Sequence, residues 1–368
     1  MGRKRASVGL VWAITASMGV CVSMQIAIGG VSEASPTDEP TETQLSAPTL
    51  PEVQIRSIPG FDEEKDLRQE LGQQVQRVVK SVQDAQSKKD RIERLSAAAN
   101  LILSRQLEPQ VTAKILDTKG LPGSESDTLE LLNQADSLIQ QAQTQLKDSE
   151  SDESLDGIGD RLETLSAFAT AMRAYLIPID GAQKESNMRS AISSLSPVLE
   201  DGNIQIAAAA NLWQACLRAS EGDVARAIDI LPFPAANIDK DAMPYPFFAK
   251  QLRCRLQTER GGHAGAIAML IQMEERCDEW FEQKPDRADA LRTTRWMQLR
   301  ALVDWFGKFD ATKQIDERKW CINRVKELTE ESFSDDDKTV LRMSPSIPFV
   351  FPTPDLEPQP AAPSATEH

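Results

Sequence analysis

Residues 217–231 read LRASEGDVARAIDIL, and residues 256–270 read LQTERGGHAGAIAML. Shifted by 39 places, the stretches match at Leu217 and Leu256, Gly222 and Gly261, Ala225 and Ala264, and Ala227 and Ala266. Ile228 and Ile267, Leu231 and Leu270, and the upstream pair Ala210 and Ala249 complete the pattern. A helix that ends near a glycine turns tightly there, because glycine adopts the left-handed backbone at no steric cost. The small alanines that follow let a returning helix approach the first closely. The repeated unit is therefore a helical hairpin, and the fold class it predicts is all-α.

The pattern extends in both directions. Downstream, Trp296, Leu299, Gly307 and Phe309 repeat the first-helix half, about 46 residues on, with Thr312 in place of the alanine. Upstream, Ile158–Tyr175 and Asn187–Leu199 have the shape of a further pair. Gly222-Asp223-Val224 leading to Ala227, and Gly261-Gly262-His263 leading to Ala266, resemble tetratricopeptide-type repeats over about 155–330. Repeats of that family run to roughly 34 residues. The longer spacings here predict an irregular array of hairpins rather than a regular superhelix. The resemblance implies a protein-binding surface by analogy, since function lives in sites rather than folds.

Before the array, Leu71, Val75, Val78, Val82, Ala85, Lys89, Ile92, Ser96, Ala99 and Leu103 alternate by four and three. That spacing predicts one long helix from Asp62 to about residue 107. Its apolar seam either joins two copies as a coiled coil or packs against its own chain; Lys89 and Ser96 favour the second. Pro109 ends or bends the helix, and a short helix follows over Gln110–Thr118. Gly120, Pro122 and Gly123 mark a turn. Thr128–Lys147 is another helix, with Leu131, Leu132, Ala135, Leu138, Ile139, Ala142 and Leu146 on one face.

The flanks differ in kind. Arg3, Lys4 and Arg5 precede an uncharged stretch, Ala6–Ser32, whose apolar part runs from Val8 to Ile28. A basic start followed by an apolar stretch is a secretory signal or a membrane anchor. The length suits a single span, whereas Ser32-Glu33-Ala34 has the form of a cleavage site. Both readings place Ser35 onward outside the cytoplasm. Cys21 follows Val20, too large for a lipoprotein processing site, and Ala6 stands where a myristoylation motif has Ser or Thr. Residues 32–60 are rich in Pro, Thr and Glu and read as a disordered linker. From Ser344 prolines recur again, and within that tail the run Ile347-Pro348-Phe349-Val350-Phe351 is expected to dock on the folded part. The expected regions are thus 1–31 signal or anchor, 32–60 linker, 61–150 long helices, 151–342 hairpin array and 343–368 Pro-rich tail.

Composition narrows the function classes. The 368 residues carry 41 Lys and Arg against 56 Asp and Glu, a net charge of −15, and only two histidines. No basic patch lies outside the first five residues, which argues against nucleic acid. His263, at the start of a returning helix, reads as a packing residue. Cys216, Cys254, Cys277 and Cys321 form no CxxC pair and read as buried thiols; a bridge between Cys216 and Cys254 is the alternative. Asp152, Ser154, Asp156, Gly157, Asp160 and Glu163 have the spacing of a calcium-binding loop. Leu155 and Gly159 depart from that pattern, which favours a solvated acidic turn. Asp335-Asp336-Asp337 reads as a solvated run. Trp213, Trp280, Trp296, Trp305 and Trp320 read as core, or in part as the lining of a peptide groove. No residue is assigned a catalytic, cofactor-binding or metal-binding role, and no cofactor is expected. The leading expectation is a non-enzymatic envelope or secreted scaffold that binds another protein. A self-associating coiled-coil protein and an α-helical polysaccharide hydrolase or lyase are the alternatives.

Overall fold

A computed structural model describes residues 45–55, 64–116, 125–148, 155–179, 181–231, 240–282, 284–334, 340–341 and 347–354. All of these belong to one unit, Leu45–His368. Residues 1–31, expected to be a signal or anchor, residues 32–44 and the run Asp335–Asp337 lie outside the described residues. Among the described residues, no helix is long and apolar enough to cross a membrane.

The fold is all-α. Its helices are α1 (Glu64–Ser81), α2 (Lys88–Leu101), α3 (Glu108–Leu116), α4 (Glu125–Lys147), α5 (Ile158–Leu176) and α6 (Ala182–Leu195). They continue as α7 (Ile204–Ser220), α8 (Val224–Ile230), α9 (Tyr245–Glu259), α10 (His263–Trp280), α11 (Lys284–Phe306) and α12 (Ile315–Ser332).

The single long helix expected over 62–107 is two helices and a widened turn. Ser87 opens α2: its hydroxyl accepts from Asp90 N at 3.0 Å, while the Asp90 carboxylate accepts from Gln86 N at 3.2 Å. This reciprocal cap satisfies donors that a helix start leaves orphaned. Arg94 donates to the Ser81 carbonyl at 3.0 Å and closes the end of α1. Its hydrogen bond to Asp90 also holds that carboxyl below its ordinary range. The two helices then pack on each other. The seam residues Leu71, Val75, Val78, Ile92 and Leu103 are buried within the chain. After Leu101 the backbone widens into a π-turn, Ile102–Gln106. Pro109 sits in the first turn of α3, where its missing N–H breaks no helical bond. In α4 the expected face is the buried one, at Leu132, Ala135, Leu138, Ile139 and Ala142.

From α5 onward helices pair with their neighbours: α5 with α6, α7 with α8, α9 with α10, and α11 with α12. The turns after α7 and α9 are the same turn. Gly222 and Gly261 have φ of 89° and 85°. Glu221 N bonds Leu217 O, Gly222 N bonds Ala219 O, and Asp223 N bonds Arg218 O. Arg260 N, Gly261 N and Gly262 N repeat these bonds onto Leu256, Thr258 and Gln257. The closing bond from C″ back to the helix is a Schellman cap.

Arginines from the later helices tie the two halves together. Arg255 of α9 donates to the carbonyls of Lys114 and Ile115 at 2.9 and 2.5 Å, and Arg300 of α11 to that of Leu116 at 3.1 Å. The open C-terminal end of α3 is thereby satisfied. Glu274 of α10 similarly accepts from Arg295 and Gln298 of α11, each at 2.7 Å.

Two flanking segments lie against this body. Residues 45–55 fall within the expected linker 32–60, yet Leu45 and Val53 pack on the core. Arg318 donates to the Leu45 carbonyl at 3.3 Å. Gln54–Ile55 pairs in parallel with Val340–Leu341. Apolar Leu45 and Val53 explain the docking that overall Pro and Glu content obscured. The tail docks too, with Ile347, Val350 and Phe351 buried.

Candidate functional site

An aromatic-lined surface lies where the N-terminal ends of α7, α9 and α11 meet the π-turn and the docked tail. It is a cleft of about 440 Å³. Tyr245, Phe248 and Phe281 give it an aromatic side, Ile206, Met243 and Pro244 an aliphatic one, and Arg105, Glu108 and Asp289 polar edges. Ile347, Pro348 and Phe349 of the tail form a further wall.

Local chemistry fixes each wall. Asn203 caps α7, its Oδ1 accepting from Gln205 N and Ile206 N at 2.9 and 3.2 Å. Gln205 then donates to the Met243 carbonyl at 3.3 Å and ties α7 to the segment that enters α9. The Met243–Pro244 peptide is cis. Phe247, fully buried, meets Phe281 edge-on at 5.0 Å between ring centroids, Phe248 at 6.2 Å and Trp280 at 5.9 Å. One core ring thus holds both half-buried rings of the cleft. Edge-to-face contact is the favoured geometry for such pairs. Arg105 lies 3.8 Å from Glu108 and 5.1 Å from the centre of the Phe349 ring. The edges carry both signs of charge, one guanidinium and two carboxylates.

Beside it sits Asn100 of α2, with no exposed surface. Its Oδ1 accepts from Val350 N at 2.7 Å and from Phe351 N at 3.3 Å, and its Nδ2 donates to the Pro348 carbonyl at 3.3 Å. All three bonds are to main chain. Arg161 covers the Phe351 ring, 4.8 Å from its centre.

The residues singled out from the sequence fall elsewhere. His263 is buried, its Nε2 2.5 Å from Asp304 Oδ2 and its ring stacked on Trp305. Asp304 also borders a second cleft, of about 360 Å³, together with Arg255, Glu259, Arg300 and Lys308. Cys216, Cys254, Cys277 and Cys321 are free and buried. Burial pushes the first three thiols up to about 12 and Cys321 up to about 11. Of the acidic loop, Asp152 and Ser154 lie outside the described residues. Asp160 and Glu163 are exposed and border a further cleft, of about 630 Å³, with Asp201. Among the described residues, no group of three or more His, Cys, Asp or Glu is placed to hold a metal ion. Trp213, Trp280 and Trp296 are core, while Trp320 is 43% exposed and meets Trp305 edge-on.

The first expectation for the tryptophans, core packing, describes Trp213, Trp280 and Trp296, while the cleft is lined by Tyr245, Phe248 and Phe281 rather than by any of the five. Asn100 gave no sequence signal, because an asparagine within a helical stretch usually faces water. The run Ile347–Phe351 was the one visible pointer to this region.

No family model matches the chain, no curated protein matches it, and no solved structure matches it.

Proposed function

We propose that the protein is a non-enzymatic helical scaffold that binds an apolar segment of another protein, on the far side of the membrane that its basic-then-apolar N-terminus addresses. The observation that carries this reading is the aromatic cleft at the N-terminal ends of α7, α9 and α11. Its aromatic and aliphatic walls alternate with the polar residues Arg105, Glu108, Asn203, Gln205 and Asp289, a mixture that suits a short peptide with an apolar anchor. The helical hairpins from α5 to α12, with the turn at Gly222 repeated at Gly261, support a repeat array of the tetratricopeptide-like kind, and such arrays present surfaces of this sort.

Self-association through a coiled coil over 62–107 has less support. The seam is interrupted at Val82–Ser87, and its apolar residues are occupied within the chain.

The test uses the full-length chain as bait in envelope extract, beside Phe248→Ala and Gln140→Ala variants. Gln140 is exposed on α4, away from the cleft lining. We expect a protein retained by the wild type and by Gln140→Ala, and lost with Phe248→Ala. Equal retention by all three would reject the cleft as the binding surface.

A further inference from the structure

The segment Ile347–Phe351 is held as a peptide ligand is held. Asn100 reads its backbone through three hydrogen bonds, all to main chain. Such bonds give affinity without dictating sequence, and pockets for side chains supply specificity. Ile347, Val350 and Phe351 fill the pockets, while Phe349 is 45% exposed beneath Arg105. Pro348 is buried at no polar cost, because it has no N–H to satisfy. The run carries no charge, and Arg105 and Arg161 lie over its two aromatic faces. Asn100 also lies next to the helix end Leu101, two residues before the π-turn Ile102–Gln106, and π-bulges recur at functional sites.

From this geometry we infer that the Asn100 seat is a main-chain recognition site, filled by the protein's own tail until a partner's segment displaces it. The partner presents an extended, uncharged stretch of the pattern apolar-Pro-aromatic-apolar-aromatic, continued by a further apolar side chain. The continuation matters. A tail tethered in the same chain has an effective concentration in the millimolar range, so an identical segment competes poorly. The tail is only a wall of the aromatic cleft. A partner that fills the cleft as well as the seat gains contacts the tail does not make, and a second copy's tail gains none. The inference rests on the cleft reading for the origin of the partner, but the seat itself is testable without one.

The probe is a fluorescent peptide of residues 345–354, PSIPFVFPTP. It is titrated by anisotropy into the full-length chain and into a full-length Val350→Ser/Phe351→Ser variant, whose tail is released. A second peptide carries an N-methyl group at the Val350 amide, which removes the donor to Asn100 without altering the protein. We expect saturable binding to the variant, at least tenfold weaker binding to the wild type, and at least tenfold weaker binding of the methylated peptide to the variant. Amide exchange in the wild-type chain supplies a readout independent of the variant's folding. The Val350 and Phe351 amides are expected to exchange at least tenfold faster than buried amides of α2, by local release of the tail. Exchange of these amides only with the whole domain, or equal binding of the two peptides, would overturn the inference. A concentration-dependent dimer of the wild type would also overturn it, by making a second copy the occupant. Phe248-dependent retention of a protein with no peptide binding would reject the seat and leave the cleft reading standing.

Discussion

Asn100 is the residue on which the tail depends. Replacing it with alanine leaves the buried Val350 and Phe351 donors without their acceptor, and an unmet buried donor costs about 1–3 kcal/mol. We expect Asn100→Ala to lower unfolding free energy by about 2–3 kcal/mol, measured by urea denaturation. A loss under about 0.5 kcal/mol would mean that water replaces the amide. The four thiols make a second residue-scale case. Their folded pKa values lie above the ordinary 9.0, so their contribution to stability is complete below about pH 9 and is lost as pH rises through 11 to 12. The urea midpoint should therefore fall between pH 8 and 10, and less so in Cys216→Ala than in the wild type once both are referred to pH 8. A maleimide reagent at pH 8 should label none of the four in the folded chain and all four in urea, by peptide mass mapping. Burial of the cysteines was legible from their apolar helical neighbours. The pairing of Asn100 with residues 248 to 251 places away was not, because no local pattern records so distant a partner.

At the scale of elements, the repeated glycine turn was the most legible feature and the helix break at 82–87 the least. Gly222 and Gly261 announce a left-handed residue and a chain reversal, and the structure has both. A Cβ at either position meets no neighbouring atom, so backbone strain alone sets the cost of alanine there. We expect about 1–2 kcal/mol of destabilisation for Gly222→Ala and for Gly261→Ala. Gly265→Ala, on the exposed side of α10, should stabilise by about 0.5–1 kcal/mol. Thermal melts of the three variants decide the matter; equal shifts for all would contradict the left-handed turns. The break before α2 was hidden because apolar spacing continues through it. The Ser87–Asp90 cap starts α2 afresh and Arg94 closes α1 at the Ser81 carbonyl, and all three look like ordinary surface residues in a heptad count.

At the scale of the molecule, composition and the repeated hairpin conveyed the all-α class. The cleft escaped both for a topological reason. Ile206, Tyr245, Phe281 and Ala290 stand at the ends of different helices, and only the stacking of hairpins brings those ends to one place. The docked segment 45–55 adds to this unit residues that composition assigned to the linker, whereas the docking of Ile347–Phe351 was legible in its apolar run. The most direct measurement is site-specific photocrosslinking in the cells that make the protein, with benzoylphenylalanine replacing Phe248 in the full-length chain and, as a control, Gln140. We expect a single protein adduct from position 248 and none from 140. Equal adducts from both positions, or adducts only between copies of the chain, would contradict the scaffold reading.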